Sequence, residues 1–212
     1  MCGRYTLTWP LPAILEQLEF TPTANLTWQP RYNIAPGTSI LAVIDRKGVR
    51  FGGFMGWGLS VSWSPSRRLI NARRETLLTR PTFRDLTRTR RAIVPADGYY
   101  EWSQVDRQPY RITDPNHGLW YFAAIYQERP GHLAEIAIVT TEASQMLLPL
   151  HPRMPLILSK DAVNLWLDRE NQAFEAILAM PMAPPTQYFP VSSAVNRASA
   201  EGPQLIVPQT ST

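Results

Sequence analysis

Leu119-Trp120-Tyr121-Phe122-Ala123-Ala124-Ile125-Tyr126 is the stretch that decides the fold. Every side chain in it is apolar or aromatic, so a strand over these residues would have no face suited to water. The run therefore predicts a strand at the centre of a sheet. Working outward, strand-like runs occupy 91–95, 99–103, 109–113, 134–141 and 155–158. Residues 39–44 and 49–54 read as a strand pair turned at Arg46-Lys47-Gly48. Short turns between successive strands imply mostly antiparallel pairing. Brief helices are expected at 11–18, after Pro10, at 159–168, capped by Ser159, and at 172–179. The polar section 72–90 is helix-compatible but interrupted by Pro81. These elements predict an α+β fold: a single compact domain over 1–207 with a mostly antiparallel β-rich core, short peripheral helices and a frayed tail at 208–212.

The chain has 212 residues, 44% of them hydrophobic, enough to bury one sizeable core. Its one cysteine excludes an intrachain disulfide, and no run approaches the roughly 18 apolar residues of a membrane span. The N-terminus lacks a charged region followed by an apolar stretch, so the expectation is a cytoplasmic protein, nucleoid-associated in a bacterium, with no membrane partner. Scattered His117, His132 and His151 argue against structural zinc; no metal and no cofactor are expected. Net charge is +4, and 19 of the 21 basic residues are Arg, leaving only Lys47 and Lys160. Residues 67–91 hold nine arginines against Glu75 and Asp85, an electrostatic footprint for a polyanion. Arginine-rich usage throughout the chain is the competing explanation, but it does not account for the local crowding.

Cys2 is distinguished by position. Removal of Met1 would give it a free α-amine beside its thiol, a 1,2-aminothiol that condenses with an aldehyde. The amine forms a Schiff base, and the sulfur then closes on the same carbon to give a thiazolidine. Reference pKa values of about 7.7 to 8.0 for the amine and about 8.5 for the thiol leave some of each nucleophile near neutrality. The plainer alternative is a second residue with no special task. Glu101, flanked by Tyr100 and Trp102, is either a carboxyl raised by apolar surroundings and able to pass protons, or an outward-facing strand carboxylate. His151, next to Pro152, is either a donor to a sugar oxygen or a structural histidine. Asn71 can hold an oxygen or an amine with its carboxamide, and serves equally as a cap for a helix from Ala72. Arg4 and Arg73, near Cys2 and Asn71, suggest a substrate carrying phosphate. Trp63, among Ser62, Ser64, Pro65 and Ser66, is a candidate exposed ring on which a base stacks while arginines follow the backbone, which favours single-stranded nucleic acid. Gly37 reads as a turn or close-approach position.

Five segments in order, Cys2-Gly3-Arg4-Tyr5, Arg31 to Gly37, Trp57-Gly58-Leu59 leading to Asn71 to Thr76, Pro95 to Trp102, and His151 to Pro155, resemble the SRAP family (SOS response-associated peptidase). The resemblance runs from Cys2 to about Val195. It implies an enzyme that senses abasic sites in single-stranded DNA and traps them as a covalent thiazolidine crosslink; a monomer is the default expectation. On this resemblance Cys2 is the nucleophile, Asn71 and Glu101 assist at the amine and imine, and His151 promotes sugar opening. Glu101 is also implicated in slow reversal. Arg4, Pro36, Gly37, Trp63, Arg73, Arg74 and Arg84 are the expected DNA contacts. The family name reflects autoproteolytic removal of Met1, which an ordinary aminopeptidase could equally perform. A rival class also begins Met-Cys-Gly: N-terminal nucleophile hydrolases of the glutamine amidotransferase type use Cys2 with its amine as base. That rival leaves the other four segments and the arginine cluster without a role.

Overall fold

The computed structural model describes residues 2–24, 26–170, 174–179 and 184–209. The first half comprises β1 (Tyr5–Leu7), α1 (Leu11–Leu18), β2 (Thr21–Pro22), β3 (Arg31–Ile34), β4 (Ser39–Arg46), β5 (Val49–Trp57), β6 (Leu59–Val61), β7 (Ser64–Leu69), β8 (Asn71–Arg73) and α2 (Pro81–Thr89). Then follow β9 (Arg91–Ala96), β10 (Gly98–Trp102), β11 (Pro109–Thr113), β12 (Trp120–Gln127), β13 (Glu135–Glu142), β14 (Arg153–Pro155), β15 (Ile157–Leu158), α3 (Lys160–Leu167), α4 (Phe174–Ala179) and β16 (Gln187–Pro190). The α+β reading holds.

The apolar run forms β12, displaced by one residue from its expected start. It is paired along both edges, by β9 on one side and by β15 and then β13 on the other. Strands run in the order β14-β13-β12-β9-β4-β5-β2, and β13 also pairs with β5. The pairings β5-β4-β9-β12-β13 thus close on themselves, which leaves these strands few open edges. A second sheet, β16-β11-β10-β1-β3, lies alongside. Most pairs are antiparallel, but β13 runs parallel to β5 and β8, and β2 parallel to β5.

Local chemistry explains where helices start. Ser159 caps α3 by accepting from the Ala162 N–H at 3.2 Å, and α2 starts on Pro81 itself. The expected interruption at Pro81 is therefore a beginning, because proline at a first helical position loses no bond and supplies the right φ. The helix-compatible reading of 72–90 also fails at its front. Residues 71–73 form β8, paired to Ile138, Val139 and Thr140, because burial of Ala72 in the core outweighs its helical preference. The predicted strand 155–158 divides into β14 and β15. Gln172 falls outside the described residues, as do 210–212; the N–H of Gln209 donates to the Pro190 carbonyl at 2.8 Å.

Arg91 ties the helices to the closed sheet. Fully buried, it donates to the carbonyls of Thr87 at 2.8 Å, Arg88 at 2.6 Å, Trp166 at 2.5 Å and Asp168. These are the last turns of α2 and α3, where carbonyls lack helical partners and a cation is favoured. Its guanidinium also sits 4.1 Å from the Phe174 ring centroid, and burial lowers its pKa to about 10. Arg91→Met should cost about 3 kcal/mol or more, since it orphans several buried carbonyls at once. Denaturant unfolding checks this; a loss below about 1 kcal/mol would mean that the carbonyls find other partners.

Candidate functional site

The chain start is held by strand pairing. Tyr5 lies opposite Tyr99 and Thr6 opposite Gly98, and the Tyr100 N–H donates to the Arg4 carbonyl at 2.9 Å. Continued toward the terminus, this register brings Cys2 alongside the end of β10. Asp97 fastens the other end of β1, accepting from Thr6 Oγ1 at 2.5 Å and the Thr8 N–H at 2.6 Å while Arg111 lies 3.4 Å away. Along β10 the side chains alternate as a strand requires. Tyr99 packs in the main core, while Tyr100 and Trp102 join a small cluster with Val191 and Val195. Glu101, on the Tyr99 face, is buried. It is not the outward-facing carboxylate that the sequence left open.

Cys2 is fully buried. Burial pushes its thiol well above the usual range, and the nearby Glu101 charge adds to the effect. Burial likewise raises the Glu101 carboxyl to about 7. His151 lies with Nδ1 4.0 Å from Glu101 Oε1, and burial holds its imidazole below the ordinary value. All three shifts favour uncharged forms, as expected in a poorly solvated pocket. The Asn71 Nδ2 donates to the Cys2 carbonyl at 2.8 Å, and its Oδ1 is buried with no hydrogen-bond partner among the described residues. Asn71, the first residue of β8, thus joins Cys2, Glu101 and His151 as the fourth member of the group and is not a helix cap.

Asn71 also lines a cleft of about 300 Å³ whose other walls include Arg67, Arg68, Arg73, Arg80 and Phe83. Larger hollows lie by Trp28 and Phe54 and by Asp45 and Arg169. Neither is lined by Cys2, Asn71, Glu101 or His151, and chemistry outranks size here. Among the expected DNA contacts, Arg73 lines the cleft. Trp63 is 56% exposed at the turn between β6 and β7, with Arg67 5.8 Å from its ring centroid. Gly37 takes φ +83° after Pro36, in a turn closed by Thr38 on Ala35. That turn lies against Trp57, whose carbonyl accepts from the Gly37 N–H at 2.9 Å. Arg74 follows in the short 3₁₀ turn Arg74–Thr76. Arg4 is half-buried, donating to Asn33 Oδ1 and the Val195 carbonyl, each at 2.8 Å. Arg84 faces outward on α2 beside Asp85 at 3.3 Å and is not among the residues lining the cleft. The sequence reading passed over Arg67, Arg68 and Arg80 as individual contacts, although they belong to the arginine cluster that signalled a polyanion.

The profile of the SOS response associated peptidase (SRAP) family matches residues 1–198. This chain belongs to the SRAP family. It is 34% identical to the abasic site processing protein YedK of Escherichia coli (strain K12), covering 98% of this chain and 100% of that protein. It is 33% identical to the abasic site processing protein YoaM of Bacillus subtilis (strain 168), covering 97% of each. A phage-related protein of Bordetella bronchiseptica superposes with a TM-score of 0.76 at 30% identity, over 90% of this chain and 94% of that one.

In this SRAP chain one carboxylate holds the hairpin that bears Trp63, Arg67 and Arg68. Glu135 on β13 accepts from the Ser60 N–H at 2.7 Å, Ser60 Oγ at 2.6 Å, Gln127 at 2.6 Å, Arg68 at 2.5 Å and Arg129 at 3.0 Å. Burial alone would raise its pKa, but these donors prevail and hold it at about 2. A depressed carboxyl stabilises the fold above its unfolded pKa of about 4.3, and that contribution fades as pH falls through the folded value. Glu135→Gln should therefore cost about 2 to 3 kcal/mol at neutral pH, with the gap closing between about pH 4.3 and 2. Urea unfolding across that range measures it, and a pH-independent gap would refute the linkage.

Proposed function

We propose that this protein binds single-stranded DNA along its arginine cleft and captures abasic sites covalently through Cys2 after Met1 is removed. The observation that carries the reading is the Asn71 carboxamide. It spans from the cleft to Cys2, with Nδ2 on the Cys2 carbonyl and a buried Oδ1, unpartnered among the described residues, that is suited to an amine N–H. Removal of Met1 converts an unreactive amide nitrogen into that amine and takes away the residue bonded to it. The names of the relatives above, abasic site processing proteins, support the choice of substrate.

The chemistry then follows from the residues. An abasic deoxyribose is in equilibrium with its ring-opened aldehyde, and His151 promotes the opening by moving a proton at a sugar oxygen. The Cys2 amine adds to the aldehyde carbon, and the protonated Glu101 carboxyl helps expel the oxygen as water to leave the imine. The Cys2 sulfur adds to the same carbon as its proton passes to the imine nitrogen. The balance is amine plus thiol plus aldehyde giving thiazolidine plus one water. A carboxyl near 7 is matched to this traffic, since it gives and takes protons at neutral pH with little driving force lost. Holding the partners together removes the cost of a bimolecular encounter. Reversal by the same group, and autoproteolytic removal of Met1, would extend this chemistry.

Incubation with an abasic single-stranded oligonucleotide tests the proposal. A denaturation-resistant adduct is expected, weighing the sum of Met1-free protein and oligonucleotide less one water. Cys2→Ala should form none, and neither should a variant with an added residue before Cys2. Full crosslinking by that extended variant would refute the aminothiol mechanism. Glu101→Gln should slow the reaction on the order of 10²-fold and remove an inflection near pH 7 from the rate profile. Ammonia release from glutamine without DNA would instead favour the amidotransferase-type reading.

A further inference from the structure

Two segments distant in sequence meet behind His151. Arg153 donates through Nη1 to Glu75 Oε1 at 2.9 Å and through Nη2 to Glu75 Oε2 at 3.0 Å, a bidentate pair. Nη2 also donates to the Thr140 carbonyl at 2.7 Å, so the guanidinium is fixed from two sides. The backbone of the same residue holds the imidazole. Its N–H donates to His151 Nδ1 at 3.0 Å, and its carbonyl oxygen lies 3.1 Å from that nitrogen. Whichever way the ring is protonated, Nδ1 therefore has an Arg153 backbone partner. Glu75 belongs to the 3₁₀ turn that directly follows β8, the strand that carries Asn71 and Arg73.

The sign of Glu75 makes its position informative. Residues 67–91 are overwhelmingly cationic, and a carboxylate among them works against binding a polyanion. Yet its side chain, 39% exposed, is committed to an Arg153 side chain that is only 14% exposed. Burial would raise the carboxyl, but the Arg153 fork holds it below the ordinary range.

We propose that Glu75 is a positioning residue: by clamping Arg153 it fixes the backbone that orients His151 and joins that ring to the segment bearing Asn71 and Arg73. Strand binding and imidazole placement are then parts of one rigid connection. The inference rests on the reading of His151 as a participant at Cys2.

The test compares wild type, Glu75→Gln and Glu75→Asp in three measurements. These are single-turnover crosslinking at saturating protein, affinity for an oligonucleotide with a non-aldehydic abasic analogue, and histidine-ring NMR without DNA. Glu75→Gln should crosslink about tenfold more slowly while binding the analogue as tightly as wild type or tighter, because a negative charge has been removed. Its His151 ring signals should shift, while exposed His117 and His132 stay in place. Glu75→Asp, which keeps the charge, should recover the rate to within about threefold of wild type. A Glu75→Gln rate within about twofold of wild type, or unmoved His151 signals, would overturn the proposal. So would weakened binding with all three histidines displaced, the mark of a merely structural role. Should wild type form no adduct, the capture reading fails, while the ring spectra still decide whether Glu75 orients His151.

Discussion

The pairing of β1 with β10 is the constraint on which the site depends. A three-residue strand has few bonds of its own, so its position comes from the fit of Tyr5 against Tyr99 and from Asp97 gripping Thr6 and Thr8. That register carries the chain start toward Glu101. Tyr5 adds edge contacts to Trp57 at 5.5 Å and Phe122 at 6.1 Å, which lock the small strand onto the closed sheet. Chemistry at a terminus ordinarily suffers from fraying. Here Cys2 and Tyr5 are both buried in the core, which restrains the chain between them.

Burial then sets the electrostatic character of the pocket. The thiol of Cys2 and the carboxyl of Glu101 are raised and the imidazole of His151 is lowered, each mainly by loss of water. A group of neutral donors and acceptors results, beside a cleft rich in permanent cations. On the proposed function the two zones divide the labour: guanidinium groups would meet phosphate charge at the rim, and the dry interior would exchange protons between groups that are nearly uncharged. A carboxylate of ordinary pKa in place of Glu101 would have no proton to give at neutral pH.

Segments with a strong local signature were legible in the sequence. The run from Leu119 to Tyr126, the 39–54 hairpin and the Ser159 cap announce themselves through hydrophobicity, turn residues and capping chemistry. The short strands β1, β3, β6 and β8 were not legible, because pairing partners define them and their own residues do not. Asn71-Ala72-Arg73 illustrates the point: its composition favours a helix, and its parallel pairing with Ile138, Val139 and Thr140 makes it a strand. At the site, the residue types flanking Cys2, Asn71, Glu101 and His151 marked them as candidates. The Glu75–Arg153 link was invisible because its partners are 78 positions apart. Arg80, just ahead of α2, lines the cleft while Arg84 on the helix stands in solvent, a difference of place that charge counting does not resolve.

Under the proposed capture of an aldehyde, the preference for arginine acquires a chemical meaning. A lysine amine deprotonates readily when its surroundings become dry and then forms Schiff bases of its own, whereas a guanidinium stays charged and does not compete for the carbonyl. Both lysines stand apart from the cleft, Lys47 in the turn between β4 and β5 and Lys160 at the start of α3. The arginines lining the cleft thus offer charge for phosphate, on the proposed function, without a second amine. Within such a wall, selectivity for one nucleophile requires no steric exclusion of others. In the proposed capture it would follow from the difference between a nitrogen that is permanently protonated and an α-amine, whose reference pKa is about 7.7 to 8.0.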